Sequence, residues 1–243
     1  MSTLYLVATP IGNLGDLSPR AREILSTVDF IAAEDTRVTQ KLLTACELPR
    51  KPMISYYEHN RRARGEVVLE RMLGGETCAL VTDAGTPAVS DPGEDLVALC
   101  AEHDIPVIPV PGCCAAVCAL AASGLPTGRW CFEGFLSVNK KARREHLDAL
   151  EGEKRTMIFY EAPHKLCATL RDLAAAFGED RRLSLSRELT KLHEQTLRMT
   201  LGEAMRYFDE NPPRGEFVLI VEGAPDEPET EQSEEERLAA AAE

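Results

Sequence analysis

The sequence has no long hydrophobic run. In 243 residues, no apolar stretch approaches the roughly 18 residues that a membrane-spanning helix needs. The N-terminus also lacks the basic segment and following apolar run that are typical of a signal peptide. Hydrophobic residues make up 44% of the chain and charged residues 28%, as in ordinary globular proteins. We therefore expect a cytoplasmic protein without a membrane partner.

The eight cysteines lack the spacing of a metal site. No two of them form a C-x-x-C pair, and none is spaced with a histidine as zinc ligands are. Most lie in apolar surroundings, where a free thiol behaves as a small hydrophobic group. The sequence therefore predicts neither a bound metal nor disulfides.

Positive charge is also scarce, because the formal net charge is −13. The segment from Asp226 to Glu243 contains eight acidic residues and one arginine, so it carries −7 of this charge. The remainder is acidic too, which argues against broad nucleic-acid binding through many phosphate contacts. Two basic clusters remain, and each is either a local RNA-binding patch or a solvated helix face. They are Arg61, Arg62 and Arg64, and Lys140, Lys141, Arg143 and Arg144.

Two common nucleotide-binding signatures are missing. The chain has no G-x-x-x-x-G-K-[ST] loop and no G-x-G-x-x-G loop, so neither a P-loop nor a dinucleotide site is expected. The first glycines, Gly12 and Gly15, follow an apolar run but have a different spacing. Ser18 and Pro19 come next, a pair that is typical of the start of a helix.

Apolar runs of strand length alternate with helical segments along most of the chain. Several runs are continuously apolar, as in the central strands of a parallel sheet that helices cover on both faces. The predicted strands are 4–8, 30–33, 78–82, 107–110, 131–134, 156–160, 183–187, 196–200 and 217–222. The predicted helices are 20–27, 39–45, 61–73, 95–102, 115–122, 140–150, 165–177 and 202–211. This alternation predicts the α/β class.

The sequence Gly-Leu-Pro-Thr-Gly at 124–128 marks the best break in the chain. Before it, short turns favour a mostly parallel sheet; after it, strands that could pair antiparallel favour a mixed sheet. We therefore predict two α/β lobes, 1–123 and 124–223, with a cleft between them. Residues 224–243 are acidic, contain proline and lack aromatics, a composition that predicts a mobile tail.

Three loops in the first half are rich in small residues, at 9–16, 81–93 and 110–117. The carboxyl ends of parallel strands are where α/β proteins bind ligands, and small residues let a ligand approach the main chain. Amides after Gly112 suit an anion, while Asp83, Thr86 and Ser90 suit an ammonium group or a ribose. Each loop alone could be a tight turn. Together they favour a ligand with an adenosine-like part and an amino-acid end.

Eight motifs, taken in order, resemble those of one family. They are TPIGNLGD, AEDTRVTQKLL, DAGTPAVSDPG, VPGCCAAV, FEGFL, FYEAPHK, SRELTKLHEQ and GEFVLIVEG. Over residues 3–223 the chain is similar to the bacterial small-subunit ribosomal RNA (cytidine-2′-O)-methyltransferases of the tetrapyrrole methylase superfamily. The resemblance implies a homodimer of two-lobed chains with S-adenosylmethionine in the cleft between lobes. It also implies methylation of a cytidine ribose in ribosomal RNA.

The resemblance further implies which residues contact the cofactor. The three loops would supply Pro10, Ala84, Thr86, Val89, Ser90, Cys114 and Ala115, and the C-terminal lobe would supply Tyr160, Glu161, Ser186, Glu216 and Phe217. Superfamily relatives often carry Ser-Ser where this chain has Cys113-Cys114, so main-chain contacts are expected there. Such relatives often continue into a C-terminal helical module, which we expect to be absent here.

Catalysis needs help for a weak nucleophile, because a ribose 2′-hydroxyl benefits from a base or from donors to its developing charge. The catalytic candidates are Glu161 and His164 as bases and Arg187 as a phosphate-holding residue. His164 could instead have the structural role of starting a helix, and Glu34 and Asp35 that of capping one. The general base therefore stays unassigned. The candidate RNA contacts are Asn13, Asp16, Arg37, Arg61, Arg62, Lys140, Lys141 and Lys165.

Two other functions are compatible with the sequence. A tetrapyrrole C-methyltransferase of the precorrin type would share the superfamily but would need a large apolar pocket, and the TPIGNLGD and YEAPHK motifs speak against it. A non-catalytic S-adenosylmethionine-binding factor for ribosome assembly is the second alternative, because the C-terminus is acidic and short.

Overall fold

The computed structural model describes residues 2–225, which divide into two compact units. The first unit runs to Ala122 and includes the later segment Ser186–Thr196. The second contains Ser123–Leu185 and, among the described residues, 197–225. Sequence alone assigns residues 186–196 to the C-terminal lobe, whereas in the structure they pack with the first unit. Residues 226–243, most of the predicted tail, lie outside the described residues.

Strands and helices alternate along the described chain. The strands are β1 (Leu4–Val7), β2 (Phe30–Ala33), β3 (Met53–Ser55), β4 (Cys78–Val81), β5 (Val107–Val110), β6 (Trp130–Phe135), β7 (Thr156–Glu161), β8 (Arg182–Arg187), β9 (Gln195–Thr200) and β10 (Phe217–Val221). The helices are α1 (Pro19–Thr27), α2 (Thr36–Ala45), α3 (Arg61–Leu73), α4 (Glu94–Glu102), α5 (Ala115–Ser123), α6 (Lys140–Ala149), α7 (Pro163–Phe177) and α8 (Leu201–Glu210). A turn of 3-10 helix, Leu14–Asp16, precedes α1.

The sheet of the first unit is parallel, with the strand order β3-β2-β4-β1-β5. Successive residues of its strands enter different apolar clusters: Ile31 and Ala79 lie in one, Phe30 and Cys78 in the other. This alternation buries both faces of the sheet, as expected for a parallel sheet covered by helices. All the carboxyl ends of these strands therefore lie along one sheet edge.

Local side chains define where two helices of this unit begin. The Ser18 hydroxyl accepts a hydrogen bond from the Ala21 amide at 3.1 Å, and Pro19 fills the first helical position of α1. The Asp35 carboxylate accepts from the Arg37 amide at 2.8 Å and caps α2. Such caps satisfy amides that have no partner within the helix.

The second sheet is mixed and has the order β6-β7-β10-β8-β9. β6 runs parallel to β7, while β10 runs antiparallel to β7. A core that includes Phe159, Leu170 and Leu219 packs between this sheet and α7 and α8. α8 begins with a capping box, in which Thr200 and Glu203 satisfy each other's amides.

The predicted α/β class, with a parallel first sheet and a mixed second one, is confirmed. Sequence reasoning missed β3, because three half-buried residues at the edge of a sheet leave almost no periodic pattern. It also began α2 at Thr39, three residues late, because the polar Thr36 and Arg37 hide the first turn.

Candidate functional site

Loops with small residues follow four neighbouring strands of the first unit. The loop after β1 holds Pro10, the loop after β4 holds Ala84 and Thr86, and the loop after β5 leads to Cys114 and Ala115. The turn after β2 holds Glu34 and Asp35. Because β2, β4, β1 and β5 are adjacent and parallel, these residues share one sheet edge.

The loops after β1 and β4 are joined through their main chains. The Thr9 amide donates to the Gly85 carbonyl at 2.8 Å, and the Gly85 amide donates back to the Thr9 carbonyl at 3.1 Å. The buried Thr9 hydroxyl donates to the Thr82 carbonyl at 3.1 Å. These bonds hold Pro10, which follows Thr9, beside the loop that contains Ala84.

The loop after β5 is held against the same pair. The Thr86 hydroxyl donates to the Cys113 carbonyl at 2.9 Å. Gly112 lies so close to β1 that a Cβ atom there would be 2.8 Å from the Ala8 Cβ. The three loops that sequence analysis singled out are therefore one connected structure, and small side chains leave their backbone accessible.

Residues 88–90 of the β4 loop have an unusual backbone. Ala88 has a φ of 64° and Ser90 a φ of 66°, in the left-handed region that side chains other than glycine rarely adopt. Val89, between them, is exposed, as is Ser90. Backbone conformations with such an energetic cost are often found at ligand-binding sites, which fits the predicted role of Val89 and Ser90.

Three carboxylates interact at this edge: Glu34 in the turn after β2, and Asp83 and Asp91 in the loop after β4. The Glu34 carboxylate accepts from the Thr82 hydroxyl at 2.5 Å and from the Asp83 amide at 3.2 Å. Burial and the charge of Glu34 raise the pKa of Asp83. Burial, then the charges of Glu34 and Asp83, raise the pKa of Asp91 to about 6. The cluster places a negative potential at the carboxyl edge, which favours a cationic ligand.

Arg37 is held in one orientation at this edge. Its Nε and Nη2 donate to the two carboxylate oxygens of Asp35 at 3.0 and 2.6 Å, although 85% of its side chain is exposed. Hydrogen bonds from the Arg37 side chain and amide hold the pKa of Asp35 well below its usual range. An exposed, oriented guanidinium suits a phosphate.

The segment Ser186–Thr196 packs against the β1 loop. A Cβ on Gly12 would be 2.5 Å from the Lys191 Cγ and 3.1 Å from the Leu189 carbonyl oxygen, so only glycine permits this approach. The Ser186 hydroxyl is paired with Thr196 at 3.0 Å. Arg187 Nε and Thr190 Oγ1 are buried without a hydrogen-bond partner among the described residues. Unpaired buried donors of this kind are candidates for binding a ligand.

Other candidates for the β1 loop and the cofactor are placed as follows. The Asn13 side-chain oxygen accepts from the Gly15 amide at 2.9 Å, so it already caps the 3-10 turn. Asp16 ends that turn and is exposed. In the second unit, Glu216 is exposed and Phe217, the first residue of β10, is buried.

The second unit contains two of the catalytic candidates, at the junction of β7 and α7. Glu161 is buried, its Oε1 accepts from the Ala162 amide at 2.8 Å, and its Oε2 accepts a short hydrogen bond from the Thr169 hydroxyl. Arg143 in turn donates to Thr169 at 2.8 Å. His164 is exposed in the first turn of α7, where Pro163 takes the first helical position.

Neighbouring side chains of this junction are also candidates. The Tyr160 ring contacts Phe132 and Phe135 edge to face, with ring centroids 5.1 and 5.5 Å apart. Lys165 is half-buried in the first turn of α7.

The two basic clusters differ in how far other side chains neutralise them. On α6, Lys141 and Arg144 each pair with an acid one turn later, and Arg143 turns inward to Asp172. Lys140 is exposed. On α3, Arg61 pairs with Glu58 and Asp95, while Arg62 is exposed.

Sequence reasoning missed two buried hydroxyls that hold the loops together, those of Thr9 and Thr82, and the half-buried carboxyl of Asp91. The available signal was a polar residue at the end of an apolar run, which occurs directly after β4 and one residue beyond β1. Within residues 2–225, no group of three or more His, Cys, Asp or Glu side chains is arranged to hold a metal ion. Over the same residues, no helix combines the length and the apolar character needed to cross a membrane.

The sequence of this chain is similar to those of known proteins. Residues 3–205 match the family model described as Tetrapyrrole (Corrin/Porphyrin) Methylases. A protein of Synechocystis named Ribosomal RNA small subunit methyltransferase I is 54% identical over 235 residues, which cover 97% of this chain and 84% of that protein. The protein of the same name in Escherichia coli O157:H7 is 48% identical over 222 residues, covering 90% of this chain and 77% of that one.

Solved structures share the fold at low sequence identity. A cobalt precorrin-4 methyltransferase of cobalamin biosynthesis aligns with a TM-score of 0.64 and 19% identity, over 90% of this chain and 94% of that one. The uroporphyrin-III C-methyltransferase of Thermus thermophilus, solved with S-adenosyl homocysteine, aligns with a TM-score of 0.60 and 17% identity. The alignment covers 90% of this chain and 96% of that one.

Proposed function

This chain belongs to the tetrapyrrole methylase family, as its motifs predicted, and from that premise we propose that it methylates ribosomal RNA of the small subunit. The methyl group comes from S-adenosylmethionine, and the acceptor is the 2′-hydroxyl of a cytidine ribose. The observation that carries the proposal is the 54% identity with a relative named for this RNA, over 97% of the chain. The tetrapyrrole enzymes resemble it only at the level of the fold, at 19% identity.

The three joined loops suit S-adenosylmethionine. The cofactor is a cation at its sulfonium and ammonium groups, and the acidic cluster of Glu34, Asp83 and Asp91 favours positive charge. The absence of a side chain at Gly85 and Gly112 leaves main-chain donors and acceptors accessible to an adenosine and an amino-acid end. The first unit's residues in this proposal are Pro10, Ala84, Thr86, Val89, Ser90, Cys114, Ala115 and Ser186.

The second unit supplies further cofactor contacts in this proposal. They are Tyr160, Glu161, Glu216 and Phe217, and the family resemblance supports them. The bound cofactor supplies an activated methyl group, so the protein's task is to align an acceptor oxygen with it and to manage one proton.

We assign to His164 the role of general base, which accepts the proton of the acceptor hydroxyl. Both carboxylate oxygens of Glu161 accept hydrogen bonds inside the protein, which suits a residue that orders the start of α7. His164 is exposed in that same turn and has no hydrogen-bond partner among the described residues, so it is available to the acceptor hydroxyl. Arg187, with its unpaired Nε, holds a phosphate or the developing negative charge.

RNA contacts in this proposal come from exposed polar and basic side chains of both units. One of them is Arg37, which an ion pair with Asp35 orients while most of its side chain stays in solvent. The others are Asn13, Asp16, Arg61, Arg62, Lys140, Lys141 and Lys165.

The proposal includes a homodimer in the cytoplasm, where small subunits are assembled. The family resemblance is the support for self-association, and several large hydrophobic side chains are exposed among the described residues. The most exposed of them are Leu73, Phe135, Val138 and Leu192. Analytical ultracentrifugation of the purified chain tests the dimer.

Transfer of a labelled methyl group tests the function. Purified protein is incubated with [methyl-³H]-S-adenosylmethionine and small subunits that lack the modification, with large subunits as the control. The expected label resides in small-subunit RNA, in a dinucleotide that resists alkali, because a 2′-O-methyl group blocks cleavage of the adjacent phosphodiester. Transfer to a tetrapyrrole and not to RNA would overturn the proposal. Cofactor binding without any transfer would favour an assembly factor.

A further inference from the structure

Two aromatic side chains project from the turn that follows β3. Tyr57 is 41% exposed, and His59 is exposed beside it. Their ring centroids are 6.3 Å apart and their planes nearly perpendicular, at 87°. Neither ring belongs to the apolar clusters of the first unit, so core packing does not account for them.

Hydrogen bonds fix the shape of this turn. The Asn60 side-chain oxygen accepts from the Tyr57 amide at 2.9 Å, and its amide group donates to the Ser55 carbonyl at 3.1 Å. The Asn60 main-chain amide donates to the Tyr57 carbonyl at 2.9 Å. The neighbouring Tyr56 is buried and its hydroxyl donates to Asp95 at 2.5 Å. A ligand that binds to a turn already ordered pays little conformational entropy.

Positive charge lies next to these rings, on the first turns of α3. Arg62 and Arg64 are exposed, and within residues 2–225 neither forms an ion pair. Arg61, by contrast, lies 3.3 Å from Glu58 and 3.9 Å from Asp95, so its charge is largely compensated. The short segment 57–64 thus contains two exposed aromatic rings and two exposed guanidinium groups that lack an ion pair among the described residues.

The turn lies at the same sheet edge as the proposed cofactor loops. β3 is the outer strand of the order β3-β2-β4-β1-β5, and its carboxyl end is next to that of β2, where Arg37 stands. The loops after β4, β1 and β5 follow along the edge. A molecule bound to the turn after β3 therefore reaches the cofactor loops by way of Arg37.

We propose that residues 57–64 form a platform for single-stranded RNA, in which Tyr57 and His59 stack on unpaired bases and Arg62 and Arg64 contact phosphates. Aromatic faces recognise unpaired bases, which a duplex does not offer, and arginines supply the phosphate contacts. The platform rests on the proposed function, since it would deliver the acceptor RNA to the sheet edge where the methyl donor binds.

Direct binding of a fluorescein-labelled single-stranded RNA of mixed sequence tests the platform. Tyr57→Ala is expected to weaken binding about tenfold, and Tyr57→Phe, which keeps the ring, to stay within about twofold of the wild type. The Arg62→Ala/Arg64→Ala variant is expected to reduce the salt slope of log K by about 1.4, as for two lost phosphate contacts on a single strand. Arg50→Ala is the matched control, because Arg50 is exposed at the opposite, amino end of β3.

Kinetics separate binding from structural damage. For Tyr57→Ala the KM for small subunits rises while kcat and the affinity for S-adenosylmethionine stay unchanged. Equal weakening by Tyr57→Ala and Tyr57→Phe, unchanged RNA binding, or a shift from dimer to monomer in sedimentation would each overturn the platform. If the wild-type protein methylates no RNA, the proposed function fails, and the binding measurements still decide whether the platform exists.

Discussion

The carboxylate of Glu34 joins the carboxyl ends of two strands, because it accepts the hydroxyl proton of Thr82 at 2.5 Å across the gap from β2 to β4. The same oxygen, Oε2, accepts the Asp83 amide at 3.2 Å. Asp83 in turn accepts from the Asp35 amide at 3.1 Å. Glu34 thereby fixes the start of the β4 loop, directly before residues 84–86 of the proposed cofactor site.

Removing this carboxylate should loosen the start of the β4 loop. In Glu34→Ala the Asp83 amide loses its acceptor, while relief of repulsion with Asp91 offsets part of the loss, so the free energy of unfolding should fall by about 1 kcal/mol. The Kd for S-adenosylmethionine should rise severalfold. Urea denaturation and isothermal titration calorimetry measure the two effects. Glu23→Ala, at an exposed position of α1, is the control. Unchanged affinity for the cofactor would disconnect Glu34 from the site.

Asp91 should make stability depend on pH. Burial and the charges of Glu34 and Asp83 raise its pKa to about 6 from 3.8, so the folded state binds a proton that the unfolded chain releases. Asp91 therefore destabilises the fold progressively as the pH rises from about 4 to about 6. In Asp91→Asn the free energy of unfolding should rise by about 1 kcal/mol at about pH 8, after allowance for partial exposure. Below about pH 4 it should not change.

Thermal melts across this range provide the measurement. Asp209→Asn, an exposed position on α8, should show no such pH dependence. A gain for Asp91→Asn that is equal at both ends of the range would mean that the carboxyl is not the titrating group.

Sequence could predict the α/β fold because short apolar runs such as Cys78–Val81 alternate with helical segments, which is typical of buried parallel strands. It also located the loops after β1, β4 and β5, since small residues there break the periodic pattern. Segment Ser186–Thr196 was different. It comes close to the β1 loop at Gly12, and a single glycine in a sequence does not say which distant segment it admits.

The loops of the proposed site were predictable from their small residues, but the hydrogen bonds that join those loops were not. Nothing in a linear pattern says that Thr86 bonds to the Cys113 carbonyl or that the Glu161 carboxylate bonds to Thr169. Such contacts depend on tertiary geometry between segments far apart in the chain. Asp35 was an exception, because a helix cap is a local relationship with a local signature.

Adding one methyl group at Gly112 should open the loop after β5. The Cβ of Gly112→Ala would be 2.8 Å from the Ala8 Cβ and 3.4 Å from the Ala8 carbonyl oxygen, so the backbone of one loop must move. We expect a loss of about 1–3 kcal/mol in unfolding free energy and weaker binding of S-adenosylmethionine. In Gly128→Ala the added Cβ meets no atom within 4 Å, so this control should behave as wild type. Equal behaviour of the two variants would contradict the packing argument.

Mutations of His164 and Glu161 should have different effects, because His164 is exposed and Glu161 belongs to a buried hydrogen-bond network. His164→Ala should lower kcat about 100-fold through loss of the base, with unchanged cofactor affinity and unchanged melting temperature. Glu161→Gln should instead lower stability by about 1–2 kcal/mol, since it disturbs the bonds to Ala162 and Thr169 and, through Thr169, to Arg143. His103→Ala, on the exposed end of α4, is the histidine control. If His164→Ala keeps its kcat while Glu161→Gln folds normally and loses activity, the proton goes to Glu161, and the hydrogen bonds seen at its carboxylate must open before each turnover.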